Sequence, residues 1–433
     1  MLNIYKILFV GVLTVLYIGS TGILWAKPVL RGGLDTTFYG ASAENPGFTK
    51  SNFNGIFHQN AHAKIYDPEK NKGSFNVNTR ISYQTYSFEG MDPLDVQLFY
   101  GYFEYQFTDN FGMRIGRLID FQNLGLTYFD GASFEFKIPK ANLDFHIYGG
   151  YILNDDYILK EAEISSLSSL DYRNMVLPQR EGDYIEGVDV SYKLPKVAIL
   201  NLEWQARQNN AAMAEHYLSA DLETVTYLKI LKTYAYGVFD LIDLMPAQTL
   251  EGFQISVTES LHLFLEHEYF RPVFLQDSYW SMFPPLANNE VRAKLLYLLS
   301  KYFSVEAGYG GIFYAPEKSE IGHSVFLSLI HNRLAGFKVR LDTEYITGPL
   351  DNRFRNMLLL TKDLKFLFLI LGGGLEYYNV DEYHTGYKTA YFLSGGGEIR
   401  FSKKFDTTLL VEYYSNPRYV YNVKGLIKGR YRF

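Results

Sequence analysis

The chain ends Tyr419-Val420-Tyr421-Asn422-Val423-Lys424-Gly425-Leu426-Ile427-Lys428-Gly429-Arg430-Tyr431-Arg432-Phe433. A strand sends successive side chains to opposite faces. Tyr419, Tyr421, Val423, Gly425, Ile427, Gly429, Tyr431 and Phe433 therefore share one face, aromatic and aliphatic. Val420, Asn422, Lys424, Leu426, Lys428, Arg430 and Arg432 share the other, which is mostly cationic. In water the aromatic face would be adhesive. In a membrane barrel the alternation has a direct cause, lipid outside and water inside.

A terminal aromatic residue preceded by alternating apolar residues resembles the C-terminal assembly signal of bacterial outer-membrane β-barrels. The resemblance implies that Tyr431 and Phe433 are read by a barrel-assembly machinery. It also implies that the outer surface meets outer-membrane lipid and lipopolysaccharide.

The same alternation recurs along the chain. Phe75, Val77, Thr79, Ile81 and Tyr83 oppose Asn76, Asn78, Arg80, Ser82 and Gln84. Leu200, Leu202, Trp204 and Ala206 oppose Asn201, Glu203, Gln205 and Arg207. Val291, Ala293, Leu295 and Tyr297 oppose Glu290, Arg292 and Lys294. Phe337, Val339, Leu341, Thr343 and Tyr345 oppose Lys338, Arg340, Asp342 and Glu344. Tyr387, Thr389, Tyr391 and Leu393 oppose Lys388, Ser394, Glu398 and Arg400. Each segment keeps its charges on one face.

Turn spacing sets the topology. Tight polar turns are predicted at Thr108–Asn110, Pro139–Ala141, Pro195–Lys196, Thr258–Ser260, Ser300–Lys301, His331–Arg333, Thr361–Asp363 and Ser402–Lys404. Longer connections alternate with them, among them Asn154–Gly182, Pro272–Asn288, Ala315–Glu320 and Asn379–Gly386. Short periplasmic turns and longer outer loops are the pattern of transmembrane barrels. Pairing segments across the turns predicts an all-β, antiparallel, up-and-down transmembrane barrel of about 22 strands, within a range of about 18–22. Alternation is poorest from Ala211 to Glu251. The segment Phe366–Leu371 is apolar on both faces, which suggests an inner face packed against a loop.

Met1 to Ala26 reads as a signal peptide, with Lys6 in the n-region and an apolar run from Ile7 to Leu24. Cleavage after Gly22 is an alternative, as is an uncleaved anchor. Residues 27–433 then form a single barrel domain, because no Pro/Gly/Ser linker divides them. Aromatics make up 17% of the chain, with 37 Tyr and 33 Phe, a load that suits interface girdles and lipid-facing strands. The net charge of −6 and the lack of a basic run argue against nucleic acid. With no Cys, the chain has no disulfide, thiolate metal site or C-x-x-C-H haem attachment.

Arg114-Ile115-Gly116-Arg117, Gly125 and Phe129-Asp130-Gly131 resemble a strand–loop–strand element of several porin-like families. Two readings are open. Arg114 or Arg117 lines the lumen, or Gly116 and Gly131 serve close backbone approach with Arg117 at headgroup level. The acidic Asn154–Gly182 connection is either a constriction or a solvated loop. The Pro272–Asn288 connection carries Trp280, Phe283, Pro284 and Pro285, which suits packing over the mouth or on a partner. His323 and Ser324 are adjacent and so point apart, which speaks against a catalytic pair. His262, Glu266 and Glu268 share one face, as do His58 and His62.

The expected function is a porin-like channel for passive or facilitated diffusion of small solutes, with no catalytic site and no cofactor. The expected pore-lining residues are Arg80, Glu203, Arg207, Arg292, Lys294, Lys338, Arg340, Asp342, Glu344, Lys388, Glu398, Arg400, Lys424, Lys428 and Arg430. The alternative is a sheath holding a separate multihaem cytochrome, periplasmic or at the surface. An outer-membrane enzyme is a third class.

Overall fold

A computed structural model of the chain describes residues 29–44, 52–68, 72–84, 94–122, 125–152, 184–195, 197–209, 212–225, 230–271, 288–314, 321–348, 352–379, 388–416 and 419–433. The segment read as a signal peptide lies outside the described residues. So do the Asn154–Gly182 loop and nearly all of Pro272–Asn288.

The described residues form 22 strands in one closed antiparallel sheet. In chain order these are β1 (Val29–Glu44), β2 (Asn52–Tyr66), β3 (Gly73–Gln84), β4 (Leu94–Thr108), β5 (Phe111–Gln122), β6 (Gly125–Ile138), β7 (Leu143–Ile152), β8 (Tyr184–Leu194), β9 (Ala198–Asn209), β10 (Ala212–Val225) and β11 (Leu231–Asp240). They continue as β12 (Met245–Ser256), β13 (Leu261–Phe270), β14 (Asn288–Leu298), β15 (Phe303–Tyr314), β16 (Ile321–Leu334), β17 (Phe337–Thr347), β18 (Asn352–Leu364), β19 (Leu367–Asn379), β20 (Lys388–Arg400), β21 (Phe405–Asn416) and β22 (Tyr419–Arg432). Each strand pairs with its chain neighbours, and β1 pairs with β22 from Gly33↔Arg432 to Glu44↔Tyr421. Gly32 and Phe433 exchange two backbone hydrogen bonds, at 3.1 and 2.9 Å, just beyond that register. The barrel is sealed through its last residue.

The two faces follow the alternation. Leu34, Phe57, Tyr83, Leu202, Val291, Leu295, Leu341, Tyr345, Tyr391, Leu393, Ile427 and Tyr431 are exposed on the convex face. So many exposed large apolar side chains in regular alternation mark a lipid-facing surface. Aromatic clusters sit at both ends. At the end that holds the start of β1 and the end of β22, Phe111 stacks on Phe107 at 4.8 Å and on Phe136 at 4.7 Å. At the other end Tyr151 and Tyr184 lie 4.2 Å apart, hydroxyl to hydroxyl at 2.6 Å.

Several polar side chains on the convex face are paired within it. Thr36 donates to Gln59 at 2.9 Å, Thr343 to Asn356 at 2.7 Å and Trp204 to His216 at 2.7 Å. The Thr224 and Thr233 hydroxyls meet at 2.6 Å, and Tyr309 meets His323 at 2.6 Å. Without water, an unpaired polar group is expensive, and a cross-strand partner removes that penalty.

Several expectations need correction. The hairpin expected at His331–Arg333 reverses at Ala335 and Gly336, which take φ 50° and 82°. Two consecutive left-handed residues make the tight hairpin geometry. The hairpin expected at Thr361–Asp363 reverses between Leu364 and Leu367, so Phe366 belongs to the turn. Not all outer connections are long, since β5–β6, β9–β10 and β21–β22 are each joined by only two residues. The weak alternation from Ala211 to Glu251 has a structural cause. Registers shift between Met213 and Glu215 and between Val238 and Phe239, and each bulge breaks the period of two.

Deleting Phe433, or replacing Tyr431 and Phe433 by Asp, should abolish heat-modifiable, membrane-inserted protein, read by gel mobility of boiled and unboiled membranes. Leu341→Arg should cost about 2–4 kcal/mol of folding free energy, whereas Arg340→Leu should fold nearly as the parent does. Equal costs in denaturant titrations would overturn this assignment of the two faces.

Candidate functional site: the inner wall

The inner wall is built by the alternate residues that oppose the lipid-facing ones, and its charges meet in cross-strand pairs. On β13 and β14, Lys294 binds Glu266 at 2.6 Å and Arg292 pairs with Glu268. Arg292 also approaches Glu290 at 3.3 Å, and Tyr234 donates to Glu266 at 2.5 Å. On β17 and β18, Arg355 reaches Glu344 at 2.6 Å, and Arg340 lies along its own strand against Asp342 at 2.8 Å. Ser328 donates to the same Asp342. Arg353 approaches Glu376 at 3.6 Å.

A second network crosses the closure. Arg400 contacts Asp363 at 3.1 Å and Glu398 at 2.9 Å. Arg430 contacts Glu398 at 2.8 Å and Asp406 at 2.6 Å, while Arg432 reaches Asp406 at 3.0 Å. Lys428 approaches Asp35 at 3.7 Å, and Lys424 lies 5.6 Å from the Tyr414 ring centre. Asp406 is only 3% exposed, so the cations around it are its compensation.

A third group joins Lys64, Ser74, Glu104, Arg114 and Glu135 across β2 to β6. A fourth lies on β7 to β10, where His146 meets Asp189 at 2.8 Å, Arg207 meets Glu215 at 3.5 Å and Ser219 donates to Glu203 at 3.4 Å. Glu203 is 2% exposed, beside an apolar cluster of Leu118, Phe129, Tyr148, Ile152 and Ile185.

All fifteen residues expected to line the pore lie on this face. Arg80 donates to Asn60 at 3.1 Å and lies over the Phe99 ring. Lys338 and Lys388 have no ion pair among the described residues. Arg114 joins the wall. Arg117 does not: it shares the convex face with Ile115 and forms a two-pronged pair with Asp130 at 2.8 and 2.9 Å. Met113 and Ile115 precede it on that face and Ile119 follows, so it sits mid-strand, not at a strand end. Its strand passes Gly116, at φ 132°, where a Cβ would collide with the Gly101 carbonyl. Gly131 is equally tight against the Gly149 carbonyl, so close backbone approach explains both glycines.

Sequence reasoning missed Asp35, Arg353, Arg355, Glu376 and Asp406. The signal was parity on strands that were not read in full. Ile370 belongs to a lateral row of direct cross-strand partners, Ile370↔Gly396↔Leu410↔Leu426↔Tyr39↔Ile56, which is an apolar band on the wall itself. His323 points outward to Tyr309 while Ser324 points inward and donates to Glu290 at 3.3 Å, so the two are on opposite faces.

No protein-family model matches the chain, and no curated protein matches it. Solved structures do match in fold. A variant of the ferric enterobactin receptor PfeA from Pseudomonas aeruginosa is 10% identical, with 92% of this chain and 80% of that one covered, at TM-score 0.53. A BenF-like porin from Pseudomonas fluorescens Pf-5 is 9% identical over 93% and 99%, at 0.44. The outer membrane protein opdK from Pseudomonas aeruginosa is 10% identical over 94% and 98%, at 0.45. The chain has the fold of the large outer-membrane β-barrels.

Asp406→Asn should lower the temperature at which the folded form is lost on gels, because it leaves Arg430 and Arg432 without their shared carboxylate. A loss of about 1–3 kcal/mol is expected for one hydrogen-bonded charge. Lys338→Gln should leave that temperature unchanged.

Proposed function

We propose that this chain is an outer-membrane channel through which small hydrophilic solutes diffuse passively. The observation that carries the reading is the ion-paired inner wall of a closed 22-stranded barrel whose outer face is apolar. Barrels of this size enclose more space than their inward side chains fill. Charged inward positions keep that space wet and tune which ions pass. No chemistry is required of the wall. The protein supplies a hole, a water-filled path and a field. Outer-membrane lipid and lipopolysaccharide would cover the convex face, and a barrel-assembly machinery would insert it.

The field should be weak. Lys294 with Glu266, Arg355 with Glu344, and Arg430 with Asp406 are opposite charges within 2.6 Å. Such pairs cancel beyond a Debye length of about 10 Å at 0.1 M salt. A wide lumen lined by cancelled pairs discriminates poorly between cations and anions.

Purified protein in a planar bilayer should therefore give ohmic steps with a reversal potential near zero in a salt gradient. The triple variant Glu266→Gln, Glu290→Gln, Glu344→Gln should shift it towards anion preference. Inserted protein that stays silent would overturn the open-channel reading.

A further inference from the structure

We infer that the convex face of β5 to β8 is an interface between two copies of this chain. Polar groups on that face are mostly paired. Thr36, Thr224, Thr343, Trp204, Tyr309 and Arg117 each find a partner on their own surface. Glu186 does not. It points outward one pleat inside the Tyr151–Tyr184 pair, is exposed, and has no hydrogen bond or ion pair among the described residues. Its cross-strand neighbours are Gly149 and Ala206, which have nothing to offer a carboxylate. Glu251 also faces outward with no hydrogen bond or ion pair among the described residues, but it lies opposite His267, an available donor.

Space accompanies the unsatisfied charge. A recess of about 330 Å³ lies beside Glu186, lined by Gly149, Gly150, Tyr184, Ile185 and Gln208. An unpaired carboxylate on a lipid-facing wall is costly unless another molecule supplies a cation. Three strands away the same face carries Arg117. Its Nε and Nη2 hold Asp130 and its Nη1 holds the Leu98 carbonyl. A guanidinium has five N–H donors, so Arg117 can serve a second carboxylate.

Charge complementarity then selects the occupant. A two-fold axis along the membrane normal, running between β6 and β7, sets β5 of each copy against β8 of the other. Each Arg117 then faces the second copy's Glu186, twice over, as a self-complementary interface requires. The Gly149 and Ala132 positions near that axis admit close approach. The proposal concerns the outside of the barrel, and it stands or falls apart from what passes through the lumen.

The chain has no native Cys, so single cysteines report cleanly. Ala132→Cys lies beside the proposed axis, and Ala307→Cys, on the convex face of β15, is the control. Mild oxidation in native membranes should cross-link A132C to a product of twice the chain mass and leave A307C monomeric. Adding Glu186→Leu to A132C should lower the yield about tenfold, the factor that a loss of about 1.4 kcal/mol carries. E186L alone should keep the bilayer conductance of the parent, which separates this idea from the channel reading. Absence of an A132C dimer in folded, membrane-inserted protein would overturn the interface. Equal cross-linking of A307C, a product of another mass, or a yield indifferent to E186L would do the same.

Discussion

The structure depends on one constraint: no strand can be left with an unpaired edge. In hydrocarbon an exposed N–H or C=O has no water to turn to, so a sheet that crosses a membrane must close on itself. Here β1 and β22 meet that demand, with the Gly32–Phe433 bonds as the last stitches. The other features follow from closure. A closed sheet has an inside and an outside, and each residue is assigned to one of them by parity. The chain therefore has little conventional core. Its apolar side chains face outward, where a soluble protein would carry its charges.

The inside obeys the opposite rule with equal economy. Carboxylates that would be stranded on a partly dry wall are given cations from a neighbouring strand, as at Asp406 and Glu266. Glu203, 2% exposed, takes a hydroxyl from Ser219 instead and sits next to an apolar cluster. The wall is uneven for that reason. Charged networks alternate with the apolar row through Ile370, Leu410 and Leu426, so the inner wall presents different surfaces at different azimuths of the barrel.

Much of this was legible in the chain because a period of two is easy to read wherever the strand is regular. The faces of β3, β9, β14, β17, β20 and β22 follow directly from their alternation, as does the count of strands. What escaped reading is what breaks the period. The bulges at Met213 and Val238 blurred β10 to β12. The Ala335–Gly336 reversal uses a left-handed alanine, where residue type gives little warning. Which charges pair could not be read, because a pair such as Arg430 with Glu398 joins strands that are not sequence neighbours in contact, and it depends on reach as much as on register. Arg117 shows the limit most clearly. Its charge suggested the water side or the headgroups, yet parity with Ile115 places it among lipid-facing side chains, made tolerable by Asp130.

The seam between β1 and β22 also has a kinetic side. Every other strand pair is a hairpin or its near neighbour, formed by residues close in sequence. The seam joins residues 33–44 to residues 421–432, nearly the full length of the chain. Contacts of that separation are slow to form, since the whole intervening chain must be ordered first. Until Phe433 arrives, the growing sheet has two raw edges, and raw edges recruit other strands, including those of sister molecules. A chain with this closure cannot mature as it is synthesised. Its seam is the last pairing to form, after the strands between β1 and β22 are in place.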